Sequence, residues 1–200
     1  MASNFFDTNS YYVDEKVNVL HFNNIYKIYN DRGEIIGSIV QKLTSGQKLQ
    51  RVVFDKSNLP FYLEIRNAQD EIEAIISRGW TFIMSRILIQ DAKGNLTGTI
   101  QQKFHFLKPA FQILDRSDAI IANITGNWRA RNFIIKNPFD IQIATVTKKW
   151  AGLAQEMFTT ADKYLVTIDP KYATNQYKIT ILASAISIDM IYKSGTYHAR

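Results

Sequence analysis

Between residues 101 and 150 the chain carries eight basic and three acidic side chains, a local excess of +5 in a protein of net charge +6. The first hundred residues balance at eleven of each sign. In a strand successive side chains alternate between faces, so Lys103 and His105 share one face while Phe104 and Phe106 take the other. Arg129 and Arg131 are spaced in the same way. With Lys108, Lys148 and Lys149 these groups make a positive exterior patch suited to phosphate or to an anionic membrane. Each basic group contributes up to about 1 kcal/mol at a charged surface. Trp128 and Trp150, beside the basic pairs, are of the type that sits at a lipid interface. The plainer reading is that outward strand positions are charged for solubility and that the tryptophans close a core.

Other chemistry has little support in the residue types. His21, His105 and His198 lack ligand spacing, and there is no cysteine, so neither an imidazole nor a thiolate metal site is expected. A nucleophile elbow, a phosphate-cradling glycine loop and a two-histidine helix motif are all absent. Carboxylate pairs such as Asp14 with Glu15, or Glu71 with Glu73, fall in turns or on strand exteriors, where solvation is their ordinary fate. No catalytic residue, metal or cofactor is expected, and the modest basic excess without a recognition-helix motif argues against nucleic acid.

The elements that must position the patch are legible from the C-terminus backwards. From Asp169 to Tyr192 the chain opens with polar residues and becomes apolar almost all round, with a narrow stripe of Thr180, Ser184 and Ser187. Asp169 as a cap, Pro170 at the first helical position and Gly195 past the end predict one helix of roughly 22 residues, about 33 Å long. A helix apolar on every side lies in a membrane or inside protein. Its uninterrupted apolar run covers about half of what a bilayer needs, and Lys178 and Asp189 bracket it, so enclosure by this chain is the expectation. Asp189 is expected to be a satisfied polar group at one end of that enclosure. From periodicity alone the isoleucines also suit a strand.

Five hairpin signals supply the enclosure. They span residues 26–39, 63–75, 85–100, 111–124 and 132–146, with turns at Asn30 to Gly33, Asn67 to Asp70, Asp91 to Gly94, Asp115 to Asp118, and Asn137 with Pro138. The third nearly repeats the first, with Gly33 and Gly37 matched by Gly94 and Gly98. Ten or more strands need closure to avoid exposed edges, which predicts an antiparallel barrel plugged by the terminal helix.

The segment from Val146 to Pro170, VTKKWAGLAQEMFTTADKYLVTIDP, followed by a helix ending in ISIDMIY, resembles the phospholipid scramblase family and its LURP-one-related relatives. The likeness is sharpest in KKW-x-G at Lys148 to Gly152, F-T-x-A-D at Phe158 to Asp162, and I-D-M at Ile188 to Met190. It implies the tubby-like fold, a roughly 12-stranded antiparallel barrel around a hydrophobic C-terminal helix. Residues 1–23 are then an N-terminal segment packed on the barrel, and residues 24–200 one barrel domain with its helix at about 170–192. The family's proposed calcium site after F-T is acidic. Here Thr160 stands at its first aspartate, and Lys163 and Lys171 flank Asp162 and Asp169, a poor calcium cage.

The expected function is therefore a non-catalytic, scramblase-like module binding anionic phospholipid or another phosphate-bearing partner. Its site residues are Lys103, His105, Lys108, Arg129, Arg131, Lys148, Lys149 and Trp150. The alternatives are a scaffold with a protein partner and no small ligand, and a lipid-translocating membrane protein. MASNFFDTNSYYVDE has neither the basic start nor the apolar run of a signal peptide, and no acylation cysteine is present. A cytoplasmic protein, peripheral at the membrane and without stable insertion, is the expected state.

Overall fold

The structure, a computed structural model, describes residues 4–16, 25–42, 59–81, 84–103, 110–127, 132–147 and 163–194. Twelve strands follow one another: β1 Ser10–Lys16, β2 Ile25–Tyr29, β3 Ile35–Lys42, β4 Phe61–Asn67, β5 Ile72–Arg78, β6 Arg86–Gln90, β7 Leu96–Lys103, β8 Ala110–Asp115, β9 Ile120–Asn127, β10 Asn132–Lys136, β11 Gln142–Thr147 and β12 Lys163–Ile168. Each pairs antiparallel with its chain neighbour, and β12 pairs with β1, so the sheet closes on itself. Closure leaves no row of unpaired backbone groups to recruit another strand.

Ser10–Lys16 lies in the N-terminal segment expected to pack on the barrel, and it is a strand of the ring itself. Alternation explains it. Tyr11 and Val13 are fully buried, and Ser10 to Asp14 run in register against Thr167 to Lys163. The short turn before it, Asn4–Phe6, puts Phe5 into the core.

The helix α1, Asn175–Ser194, fills the ring. Every residue from Lys178 to Met190 is buried, so no face of that stretch meets solvent. An all-round apolar sequence is stable only in such a setting, because each buried Leu or Ile side chain is worth roughly 1.5–3 kcal/mol. The polar stripe satisfies itself inside the helix. Thr180 Oγ1 donates to the Gln176 carbonyl at 2.8 Å, Ser184 Oγ to that of Thr180 at 2.8 Å, and Ser187 Oγ to that of Ala183 at 2.7 Å.

The start of the helix differs from the sequence expectation. Asp169 and Pro170 begin a separate one-turn 3₁₀ helix, Pro170–Tyr172, in which the Asp169 carboxylate accepts from the Lys171 amide at 2.9 Å. The Asp169 amide is still bonded to the Ile143 carbonyl at 2.9 Å, so the cap stands directly at the end of the sheet. Ala173 leaves helical geometry (φ −91°, ψ 42°), and the chain turns into the barrel there. Thr174 then caps α1: its carbonyl accepts from Lys178 at 2.9 Å and its hydroxyl lies 3.4 Å from the Tyr177 amide. Gly195 lies outside the described residues.

The five expected hairpins are present and share one turn. In each, the first residue is Asn30, Asn67, Asp91, Asp115 or Asn137, and its side-chain Oδ1 accepts from the amides of the third and fifth residues at 2.7–3.0 Å. The fourth residue is Gly33, Asp70, Gly94, Asp118 or Asp140, always at positive φ between 62° and 84°. The ladder register then slips by one residue in every hairpin, the signature of a bulge. Short polar Asn and Asp suit the first position because the side chain imitates a backbone acceptor.

Two of these acceptors ionise. Hydrogen bonds from the Asn95 side chain and from backbone amides hold Asp91 below its ordinary pKa of 3.8, and the Ser117 hydroxyl and amide do the same for Asp115. A carboxylate depressed in the folded state stabilises the protein above its unfolded pKa, and that contribution is lost as pH falls through the lower folded value. Asp91→Asn/Asp115→Asn keeps the acceptor oxygen and removes the titration. Urea midpoints between pH 4 and pH 2 are therefore expected to fall less in the double variant than in the parent; equal falls contradict this.

Candidate functional site at the rims of the barrel

An up-and-down meander sorts its connections onto two rims. The five tight turns occupy one rim, where α1 also begins. The opposite rim is formed by the other strand ends, among them Lys103 and Ala110, Asn127 and Asn132, and Thr147 and Lys163. The five turns, residues 30–34, 67–71, 91–95, 115–119 and 137–141, carry eight acidic and three basic groups, net −5. The segments joining strand ends at the opposite rim, residues 17–24, 43–58, 79–85, 104–109, 128–131 and 148–162, carry eight basic and three acidic groups, net +5.

Of the patch read from sequence, Lys103 is described: it is exposed at the end of β7, in register with Ala110. His105, Lys108, Trp128, Arg129, Arg131, Lys148, Lys149 and Trp150 lie outside the described residues, as does Asp162. The strand ends that flank these segments share one rim.

That rim also holds buried polar groups, and Arg78 is the one among them that the sequence expectations omit. Arg78, at the end of β5, is 3% exposed. Its guanidinium donates to the Leu59 carbonyl at 2.6 Å and the Ser85 hydroxyl at 3.2 Å, and lies 4.9 Å from the centre of the Phe61 ring. Burial lowers its pKa to about 10, still a cation at neutral pH. Its signal in the sequence was an arginine at an inward position of an alternating strand, in phase with Ala74 and Ile76. Lys163 and Asp14 face each other across the β1–β12 seam at 3.3 Å, with side chains 11% and 8% exposed. Asp189 is buried late in α1.

Removing one member of a buried ion pair keeps the other's desolvation cost and loses the attraction that offset it. Asp14→Asn is expected to cost about 3 kcal/mol in urea unfolding, and Asp14→Leu/Lys163→Met to recover most of it. A single variant as stable as the parent contradicts a closed seam.

Among the described residues no three His, Asp or Glu side chains gather as metal ligands, and no helix is long and apolar enough to cross a membrane. Asp169, one carboxylate of the calcium-like segment, is committed to its 3₁₀ cap.

The sequence profile of the scramblase family matches residues 15–194, from β1 to the last residue of α1. This chain belongs to the scramblase family. A phospholipid scramblase family protein of Schizosaccharomyces pombe is 22% identical over 162 residues, which cover 76% of this chain and 42% of that relative. The chain thus spans less than half the length of the curated relative it matches. The crystal structure of an Arabidopsis thaliana protein superposes with a TM-score of 0.52 at 8% identity, covering 90% of this chain and 89% of that one. That likeness is one of fold: the tubby-like closed barrel around a C-terminal helix. In scramblase terms, the I-D-M segment, Ile188 to Met190, sits inside the barrel on α1, and Tyr26 Oη donates to Met190 Sδ at 3.2 Å.

Proposed function

We propose that this scramblase-family barrel is a non-catalytic binding module that docks on anionic phospholipid, or on another phosphate-bearing partner, through the residues around its basic rim. Lys103, Lys108, Arg129, Arg131, Lys148 and Lys149 supply the positive charge, His105 a further hydrogen-bond donor, and Trp150 the interfacial ring. The observation that carries the reading is the opposition of charge along the chain's own connectivity. Tight turns at net −5 alternate with a second set of connections at net +5, and the strand ends flanking each kind lie on opposite rims. A barrel polarised in this way is drawn to an anionic surface by one end and repelled from it by the other, which sets orientation as well as affinity.

Translocating lipid by withdrawing α1 is disfavoured by the same fold. It would expose the helix and the lumen together, at roughly 25 cal/mol per Å² of apolar surface. Docking leaves the core intact.

Cosedimentation with phosphatidylcholine vesicles, with and without phosphatidylserine, tests the proposal. Binding is expected only with the anionic lipid and is expected to weaken with salt. Arg129→Glu/Arg131→Glu/Lys148→Glu/Lys149→Glu is expected to reduce it at least tenfold, since each basic group is worth up to about 1 kcal/mol. Equal binding to neutral vesicles, or none to either, overturns the proposal.

A further inference from the structure

The turn between β10 and β11 stands apart from its four counterparts at its tip. Its third residue, at the tip, is Phe139, where the others carry Arg32, Gln69, Lys93 and Ser117. The turn uses only the backbone amide there, donated to Asn137 Oδ1 at 3.0 Å, so nothing in the fold requires an aromatic ring. The ring is 83% exposed, the most exposed large apolar side chain among the described residues. Ile141, in the same turn, is 49% exposed. Ile120 on β9 is 43% exposed, and the β9–β10 register of Asn123 with Lys136 brings it level with the turn.

We propose that this Asn-Pro-Phe turn is a preformed docking epitope for a partner protein with a phenyl-sized apolar pocket bordered by cationic side chains. The conformation is fixed before any encounter. Asn137 Oδ1 holds the amides of Phe139 and Ile141, both at 3.0 Å, and Pro138 presets φ at the second position. A ring displayed on a rigid turn loses little entropy on binding, which is how an aromatic anchor gains affinity. Charge selects the occupant. Asp140, which follows the ring, is paired with Lys136 Nζ at 2.9 Å, so the selecting charge is that of the five turns together, net −5, which suits a pocket with a basic lip and opposes an anionic membrane. This epitope is at the end of the barrel opposite the basic rim and does not depend on the lipid-docking proposal.

The full chain titrated by calorimetry against a recombinant domain that binds free Asn-Pro-Phe peptides is the test, with an Asn-Pro-Phe-Asp peptide as competitor. Saturable binding that the peptide displaces is expected, and Phe139→Ser is expected to weaken it at least tenfold. Serine already occupies the equivalent tip at Ser117, so an unchanged melting curve for Phe139→Ser shows that the fold is kept. Absence of saturable binding by the parent, or unchanged binding by Phe139→Ser, overturns the proposal. So does a Phe139→Ser variant whose only effects are a lower mass in light scattering, which means a second copy is the occupant, or weaker sedimentation with vesicles, which means lipid is.

Discussion

Ile186→Asp is expected to leave no folded protein. Ile186 is fully buried near the middle of α1, within the unbroken buried run from Lys178 to Met190. An unpaired carboxylate there must either stay charged in an apolar interior or be held protonated, and both cost several kcal/mol. Removal of the aliphatic side chain adds a cavity term. Together these rival the 5–15 kcal/mol that holds a typical domain folded. A graded series separates enclosure from mere tolerance: Ile186→Val is expected to cost about 1 kcal/mol and Ile186→Ala about 2–5 kcal/mol in urea unfolding followed by circular dichroism. If α1 lay on the surface, all three variants would fall within about 0.5 kcal/mol of the parent.

Gly126→Val is expected to destabilise by on the order of 4 kcal/mol. Gly126 sits in β9 opposite Phe133 with φ +145°, a conformation that side-chain-bearing residues rarely adopt. A Cβ there would lie 2.5 Å from both the Asn132 carbonyl oxygen and the Phe133 Cα, and these backbone atoms cannot rotate away. Strain at such a site costs about 1–3 kcal/mol, and overpacking adds a similar amount. Because Gly126 adjoins the 128–131 segment, the variant is also expected to weaken vesicle binding if it folds. Unfolding midpoints for Gly126→Ala and Gly126→Val measure the effect; values equal to the parent contradict the close approach of β9 and β10.

Much of this architecture was legible because two periodicities in the chain agree with one closed solution. All five hairpins were readable from Asn, Asp and Gly between alternating runs, since those residues are the ones a bulged turn demands. The likeness noted between the first and third hairpins is one instance of a wider rule. The fourth turn residue must accept positive φ, and the eighth residue, Gly37, Ala74, Gly98, Ala122 or Ala144, is small and buried. At Gly37 the reason is contact: a Cβ would lie 2.4 Å from the Arg66 carbonyl and 2.9 Å from the Phe5 ring. At Gly98 the Leu114 carbonyl would be 3.1 Å away.

What escaped the sequence depended on partners distant along the chain. Ser10–Lys16 alternates like any exposed strand, and only pairing with β12 makes it the closing element. Asp169 followed by Pro170 is a sound helix start locally. The helix it starts ends at Ala173, which leaves helical geometry where the chain turns into the barrel, and Thr174 starts the long helix. Asp14 reads as a surface charge because carboxylates are usually solvated, and its burial against Lys163, like the burial of Arg78, is imposed by the closure of the ring. For the basic patch, the sequence identified the residue types, and Lys103 stands at the rim to which the strands flanking the others also run.

Native-state amide exchange over α1 tests the central claim most directly. If the helix is an enclosed pillar, the amides from Ile179 to Met190 exchange only through global unfolding and are the slowest in the protein, with a free energy equal to that of urea denaturation. Exchange of those amides as fast as that of the exposed turn at Asp91 to Asn95 would contradict it.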